Sequence, residues 1–465
     1  MKSRTRVILV VVLAIVLVGS VTYIALVFSS PRSTPGAVGS AACPATTGNA
    51  VSGNWTTYHR DNSRAGLESA AHVQSVQTLW SSPSSVDGQV YAEPLVCGDA
   101  VYVATESDSV YALNATTGGT LWRTNLGTPV PGSSLPCGNI DPSGITGTPV
   151  IDAAGGTLYV VAFLTPAHHV LFGLNLVNGS VKLHVPIDPV GADPTVEQQR
   201  GALALANGMV YVPYGGLFGD CGSYHGWVVG VRTDGTGGLV AYQVPTHREG
   251  GIWSPAGISV AADGDLYVAT GNGDSTTAFD YGNSVLELSP TLTLLGYFAP
   301  TNWASLNSAD TDLGSVAPTL LPNGDVFQVG KEGVGYLLSA TSLGGIAGQI
   351  ANISVCGGAY GGTARVGLTV FAPCTDGLVE VVAGAAGLSV GWRTSNFDAG
   401  SPIVTGDVVW AVDIGSNQLL GFNLTTGQQR FSFALGAVVH FCSPAAAPGT
   451  LLVAGGSQVY SFAWV

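Results

Sequence analysis

From Trp55 onward the chain is a succession of short apolar runs broken by polar turns, and the runs recur in a fixed order. One recurring phrase is a small residue, a proline and then an apolar strand, as in Glu93-Pro94-Leu95, Thr148-Pro149-Val150, Ala317-Pro318-Thr319, Ser401-Pro402-Ile403 and Ser443-Pro444-Ala445. After a polar turn comes a second run of β-branched and aromatic residues, such as Leu158–Ala162, Val210–Tyr214, Leu266–Thr270 and Val408–Val412. Such composition suits a half-buried or buried strand. A third run often ends in an Asn-x-x-x-Gly turn (Asn114–Gly118, Asn423–Gly427), and a fourth carries an aromatic (Trp122, Phe431). Four short strands every ~40–55 residues predict the blades of a β-propeller. The second run occurs eight times, so the expectation is all-β: an eight-bladed propeller of four-stranded antiparallel blades. Val76–Trp80 has no blade of its own. It is therefore expected to supply the outer strand of the short last blade and close the ring. No long 3.6-residue periodicity predicts a helix in this part.

The N-terminus differs. Lys2, Arg4 and Arg6 precede an uncharged apolar stretch, Val7–Phe28, which at ~1.5 Å per residue spans about 33 Å as a helix and is long enough to cross a bilayer. Its positive flank orients the remainder to the outside. Three segments result: a signal anchor or transmembrane helix (1–28), a Ser/Pro/Gly-rich extracytoplasmic linker (29–52) and the propeller (53–465). A long cleaved signal is the alternative for the first.

Charge and cysteine content narrow the functional classes. A formal charge of −14 with 15 basic residues leaves nothing to neutralise phosphates, which excludes nucleic acid as a partner. Only Lys2, Lys182 and Lys331 are lysines, so few charges need solvent, a composition suited to an acidic exterior. Seven cysteines in an exported chain predict disulfides with one thiol left over. Cys356–Cys374 is expected first, then Cys97–Cys137 and Cys43–Cys442, leaving Cys221 free.

Three stretches carry candidate chemistry: GGIWSPAGISVAADGDLYVATGNGD (250–274), YGNSVLELS (281–289) and DTDLGSVAPTLLPNGDVFQVGKEGVGYLL (310–338). They resemble the middle blades of quinoprotein (PQQ-dependent) alcohol dehydrogenases. Asn114–Trp122 resembles the tryptophan-docking repeat of that family, and WTTYHRDNSRAG (55–66) resembles its lead-in. The resemblance implies a PQQ cofactor on the floor of Trp253 and a Ca²⁺ ion held by Asn272 and Asp312. It further implies Asp312 as the base for a substrate hydroxyl and Lys331 as the cation at the quinone oxygens. These types suit the chemistry: oxygen ligands for a hard cation, a carboxylate for proton removal, and a positive charge where negative charge develops. Asp220 is the nearest match to the family's remaining acidic metal ligand. Asp274 and Asp310 are alternatives in the metal shell.

The sequence departs from that pattern as well. It has no adjacent cysteine pair to cover the PQQ face, and Gly314 stands where lanthanide-using relatives carry a second aspartate. With no C-x-x-C-H haem motif, electrons would need an external acceptor. Each site residue also has a structural reading. Lys331 suits a turn, Asp312 a blade-start capping role, Asn272 a hairpin turn and Trp253 inter-blade packing. His168-His169 read as a surface loop, because neighbours on a strand face opposite ways. Three functions remain open: a PQQ/Ca²⁺ dehydrogenase of alcohols, sugars or aldehydes, a non-catalytic propeller binding cell-surface proteins or glycans, and a degenerate quinoprotein that keeps the metal.

Overall fold

The computed structural model describes Cys43 and residues 53–465 other than 70–71, 82–85, 340 and 386. The expected anchor and nearly all of the expected linker lie outside the described residues. Among the described residues, no helix is long and apolar enough to cross a membrane.

Eight separate sheets form the ring, each with a core of four antiparallel strands. In blade 1 these are Leu95–Cys97, Ala100–Thr105, Ser109–Asn114 and Thr120–Asn125. The two middle strands are buried along almost their whole length, whereas the fourth alternates toward solvent. Blades stacked face to face explain this, because a strand covered on both sides reads as a continuous apolar run. The last blade is composite. Val76–Ser81 pairs antiparallel with Gln458–Trp464, placing the early strand outermost and joining the ends of the ring as the unassigned run predicted.

Tryptophans fix the spacing between blades. The indole N–H groups of Trp80, Trp122 and Trp392 donate to the carbonyls of Ala115, Leu176 and Leu424 on the following blade. Each ring lies on a turn glycine, respectively Gly118, Gly179 and Gly427, where an added Cβ would come within 2.6 Å of the indole. All three glycines have φ near +70°, so close approach and backbone conformation both require glycine.

The segment 55–66 closes the axial channel at one end. Trp55 exchanges backbone hydrogen bonds with Val96 of blade 1, and Thr56, Ala65 and Gly66 accept from Ile151, Arg365 and Val404 of blades 2, 6 and 7. Arg64 is buried and donates to Thr57 Oγ1 and to the carbonyls of Tyr58, Leu203 and Ile258. His59 meets Thr363 O and Ser443 Oγ, and Ser443 donates to Glu93. This Ser–His–Glu grouping is fully buried, so it staples the plug to the ring and meets no substrate.

Disulfides join Cys43–Cys97, Cys137–Cys221 and Cys356–Cys374, and Cys442 is the buried free thiol. Only the third matches the expected pairing. Cys97 takes Cys43, and Cys221, expected free, takes Cys137, because the connection between blades 1 and 2 reaches over to a long turn of blade 3. His169 is also corrected. It is buried, stacked on Phe163 at 4.3 Å and bonded to Asp188 at 2.8 Å, so it belongs to the core and not to a surface loop.

Candidate functional site

In an up-and-down blade the turn between the second and third strands shares a face with the connection to the next blade. Every predicted site residue lies in one of these two positions. Trp253 is in the connection from blade 3 to 4 and Asp312 in that from blade 4 to 5, while Asn272 and Lys331 lie in the turns of blades 4 and 5.

Four of the five predicted residues meet. Asp312 is nearly enclosed and accepts the Asn272 backbone N–H on Oδ1 at 2.6 Å and the Lys331 ammonium on Oδ2 at 2.7 Å. Lys331 also donates to Asp310 Oδ1 at 2.9 Å, and Asn272 Nδ2 donates to the same oxygen at 2.9 Å. The ammonium lies 5.7 Å from the Trp253 ring centre, within cation–π range. Gly271 permits this crowding: a Cβ there would stand 2.6 Å from Asp312 Oδ1 and 3.0 Å from Trp253 Nε1.

Electrostatics couple the group. Burial pushes the Asp312 pKa up while Lys331 pulls against it. Burial opposes the charge on Lys331, but Asp312 and then Asp310 hold its pKa above the ordinary lysine value. The 2.7 Å contact pairs the two groups, with burial outweighing Lys331 in the net upward shift of Asp312.

Asp220 shares no hydrogen bond with these four. Its Oδ1 accepts the Tyr224 hydroxyl at 2.6 Å, and its carbonyl accepts Arg248. Among the described residues, no three His, Cys, Asp or Glu ligand atoms gather at this site. The acid that senses Asp312 is Glu249, which burial pushes up to about 7 against Arg248, with Asp220, Asp274 and Asp312 adding to the rise. Asp274 is engaged with His247. Asn272 Oδ1 accepts from Asn283 and both Asp312 oxygens are engaged, while the Asp220 and Glu249 carboxylates lie within electrostatic reach.

Sequence reasoning missed several residues. Asn283 is buried and donates to Asn272 Oδ1 (3.3 Å) and Asn307 Oδ1 (2.8 Å), while accepting the Leu313 N–H (2.6 Å). It therefore orients Asn272 and the start of blade 5 together, and its place in the YGNSV stretch was the available signal. Arg200 comes from the connection between blades 2 and 3, and Phe441 from that between blades 7 and 8. Their guanidinium-to-ring distance is 4.5 Å. Arg200 also donates to His440, whose pKa burial and then Arg200 push down to about 4, so the imidazole is neutral and can accept. Among the described residues, Arg200 makes no ion pair.

Phe441 faces Trp253 at 6.2 Å with a 47° tilt and Tyr360 at 6.1 Å. A planar ring needs about 3.5 Å on each face, so a layer between two rings requires about 7 Å. A flat ligand on Trp253 therefore requires Phe441 to turn away. A cleft of about 180 Å³ bounded by Tyr360, Thr375, Asp398, Ile414 and His440 adjoins it on that side. The charges, Lys331 over the indole and Arg200 without an acid, fit a flat anionic quinone.

Fold and repeat together define an eight-bladed β-propeller. A family model described as outer membrane protein assembly factor BamB matches residues 69–293. No curated protein matches by sequence. Among solved structures, the chain is similar to quinohemoprotein alcohol dehydrogenase from Comamonas testosteroni (TM-score 0.66, 16% identity, covering 89% of this chain and 81% of that one). It is also similar to a europium-containing methanol dehydrogenase (0.69, 15%, 88% and 98%) and to BamB from Moraxella catarrhalis (0.57, 13%, 84% and 98%). At these identities the likeness shows the fold.

Proposed function

We propose that this protein is a quinoprotein-type oxidoreductase that oxidises an alcohol, sugar or aldehyde in the mouth of its propeller, anchored to the outer face of a membrane through residues 1–28. The observation that carries the reading is the cluster of Asp312, Lys331 and Asn272 against Trp253, facing a guanidinium that has no acidic partner.

A bound PQQ would supply the electron sink. Trp253 gives the floor on which a flat ring lies, and Lys331 sets a positive charge beside its oxygens. Arg200 offers a charge-assisted partner for a ligand carboxylate. Asp312, held ionised by Lys331, takes the substrate hydroxyl proton. Asn272 Oδ1 and Asp312 would hold a calcium ion, with Asp220 or Glu249 as the further acid. Electrons leave to an external acceptor. The apolar segment 7–28 and three disulfides support the extracytoplasmic placement.

One observation favours a second reading, a non-catalytic propeller binding a cell-surface protein or glycan. Phe441 covers Trp253 where a ring ligand would lie. Titrating the purified full chain with PQQ, with and without Ca²⁺, separates the two through tryptophan quenching. Saturable quenching that is lost in Trp253→Ala and weakened in Arg200→Met supports the oxidoreductase. Absence of binding at tens of micromolar PQQ rejects it and leaves the scaffold reading.

A further inference from the structure

A second pair of acids lies outside this cluster, in the turn between the second and third strands of blade 1. Glu106 and Asp108 are 2% and 0% exposed. Glu106 Oε2 accepts the Gly144 N–H at 2.6 Å. Glu106 Oε1 and both oxygens of Asp108 are buried without a hydrogen-bond partner. The Phe163 N–H and the Thr146 hydroxyl lie close enough to ease the two charges, yet neither bonds these three oxygens in good geometry. Among the described residues, no basic side chain pairs with either acid.

Three orphaned carboxylate oxygens in one enclosed turn are costly, because buried polar groups are almost always satisfied and buried charges are paired or bind metal. Gly144 packs against both acids. A Cβ there would stand 2.5 Å from the Glu106 carbonyl oxygen and 2.9 Å from Asp108 Oδ1. The connection between blades 1 and 2 thus seals the turn, with the Gly144 N–H and the Thr146 hydroxyl beside Glu106. Burial pushes Glu106 up to about 7 against the pull of Arg200, and burial and then the Glu106 charge push Asp108 up to about 8. All the donors are oxygens, which suits a hard divalent cation.

We infer that Glu106 and Asp108 bind a structural calcium ion that ties the turn of blade 1 to the connection leading into blade 2. The site uses no residue of the Asp312 cluster. By neutralising Glu106 it leaves the charge of nearby Arg200 directed at an anion in the mouth.

The test is calcium content and melting temperature of the full chain after chelator treatment and Ca²⁺ readdition, in wild type, Asp312→Asn, Asp108→Asn and Glu106→Gln/Asp108→Asn. The amides keep shape, and Asn tolerates the φ of +52° at position 108. Expected is one Ca²⁺ per chain retained in Asp312→Asn, with a Tm gain of several degrees on readdition, and in the double variant loss of that ion and of its Tm gain, leaving only calcium held by the Asp312 cluster. The inference is overturned if Asp312→Asn abolishes calcium binding altogether. It is equally overturned if the wild type binds no calcium and the double variant melts higher, which would mark the acids as a protonated pair.

Discussion

Replacing Lys331 by methionine keeps most of the aliphatic stem and removes the cation 2.7 Å from Asp312 Oδ2. The side chains are 18% and 8% exposed, so an effective dielectric of about 20 applies and the pair interaction is roughly 6 kcal/mol. Water entry and relaxation reduce the net loss on breaking such a pair to about 3–5 kcal/mol. Asp310 adds little, because at 68% exposure it can turn into water. The stranded Asp312 has another escape, which is to take up a proton. From an ordinary pKa of 3.8, this costs about 1.6 kcal/mol at pH 5 and nearly 6 kcal/mol at pH 8, at 1.36 kcal/mol per unit. Lys331→Met is therefore expected to lose about 3–5 kcal/mol at pH 8 and less than about 2 kcal/mol at pH 5. Urea unfolding at both pH values measures this, and Asp312→Asn completes a double-mutant cycle with a coupling of at least about 2 kcal/mol at pH 8. An equal loss at both pH values, or one below about 1 kcal/mol at pH 8, would refute the ion pair as described.

Two further outcomes are expected. Burial pushes Glu93 and Glu197 up to about 8, so between their unfolded pKa near 4.5 and pH 8 the folded state holds protons that the unfolded state releases. Stability must then fall as pH rises through that window, by up to about 1.4 kcal/mol per pH unit for each group. Below about 6.5 the trend flattens, because His59 and His440, lowered by burial to about 3 and 4, stay neutral in the fold while the unfolded chain protonates. A Tm that climbs from pH 6.5 to 8 contradicts this account. Among the disulfides, loop-closure entropy ranks Cys137–Cys221 (separation 84) above Cys356–Cys374 (separation 18), about 4.6 against 3.2 kcal/mol. Serine pairs at the two positions, compared by chemical denaturation, should show that order.

The fold was legible because its physics is local and repeated. Each blade announces itself in a proline, two apolar runs and a glycine turn, and the unassigned Val76–Trp80 run could only be the missing outer strand. Trp253, Asn272, Asp312 and Lys331 were legible because neighbouring blades 4 and 5 bring them together from one stretch of sequence. Arg200 and Phe441 were not, since they reach the same place from connections on other sides of the ring, and nothing local marks them. Asp220 shares no hydrogen bond with the Asp312 cluster, because Tyr224, four residues on, engages its Oδ1. The cysteine pairs failed because pairing depends on which connections lean over which blades. Glu106 and Asp108 read as an ordinary polar turn, since their isolation from solvent comes from Gly144 in a later connection.

The composite last blade sets a clock on the birth of the molecule. Val76–Ser81 is made early, yet its partner Gln458–Trp464 ends almost at the last residue. Nearly the whole ring must be translated before the early strand has an edge to join. At about 5–20 residues per second that wait is on the order of 20 to 75 seconds, with an unpaired strand open to other chains. Residues 55–66 must wait similarly for blades 6, 7 and 8. A nascent chain of this protein therefore depends on whatever shields that strand until Gln458–Trp464 is made, and loss of that later strand would leave the ring unclosed.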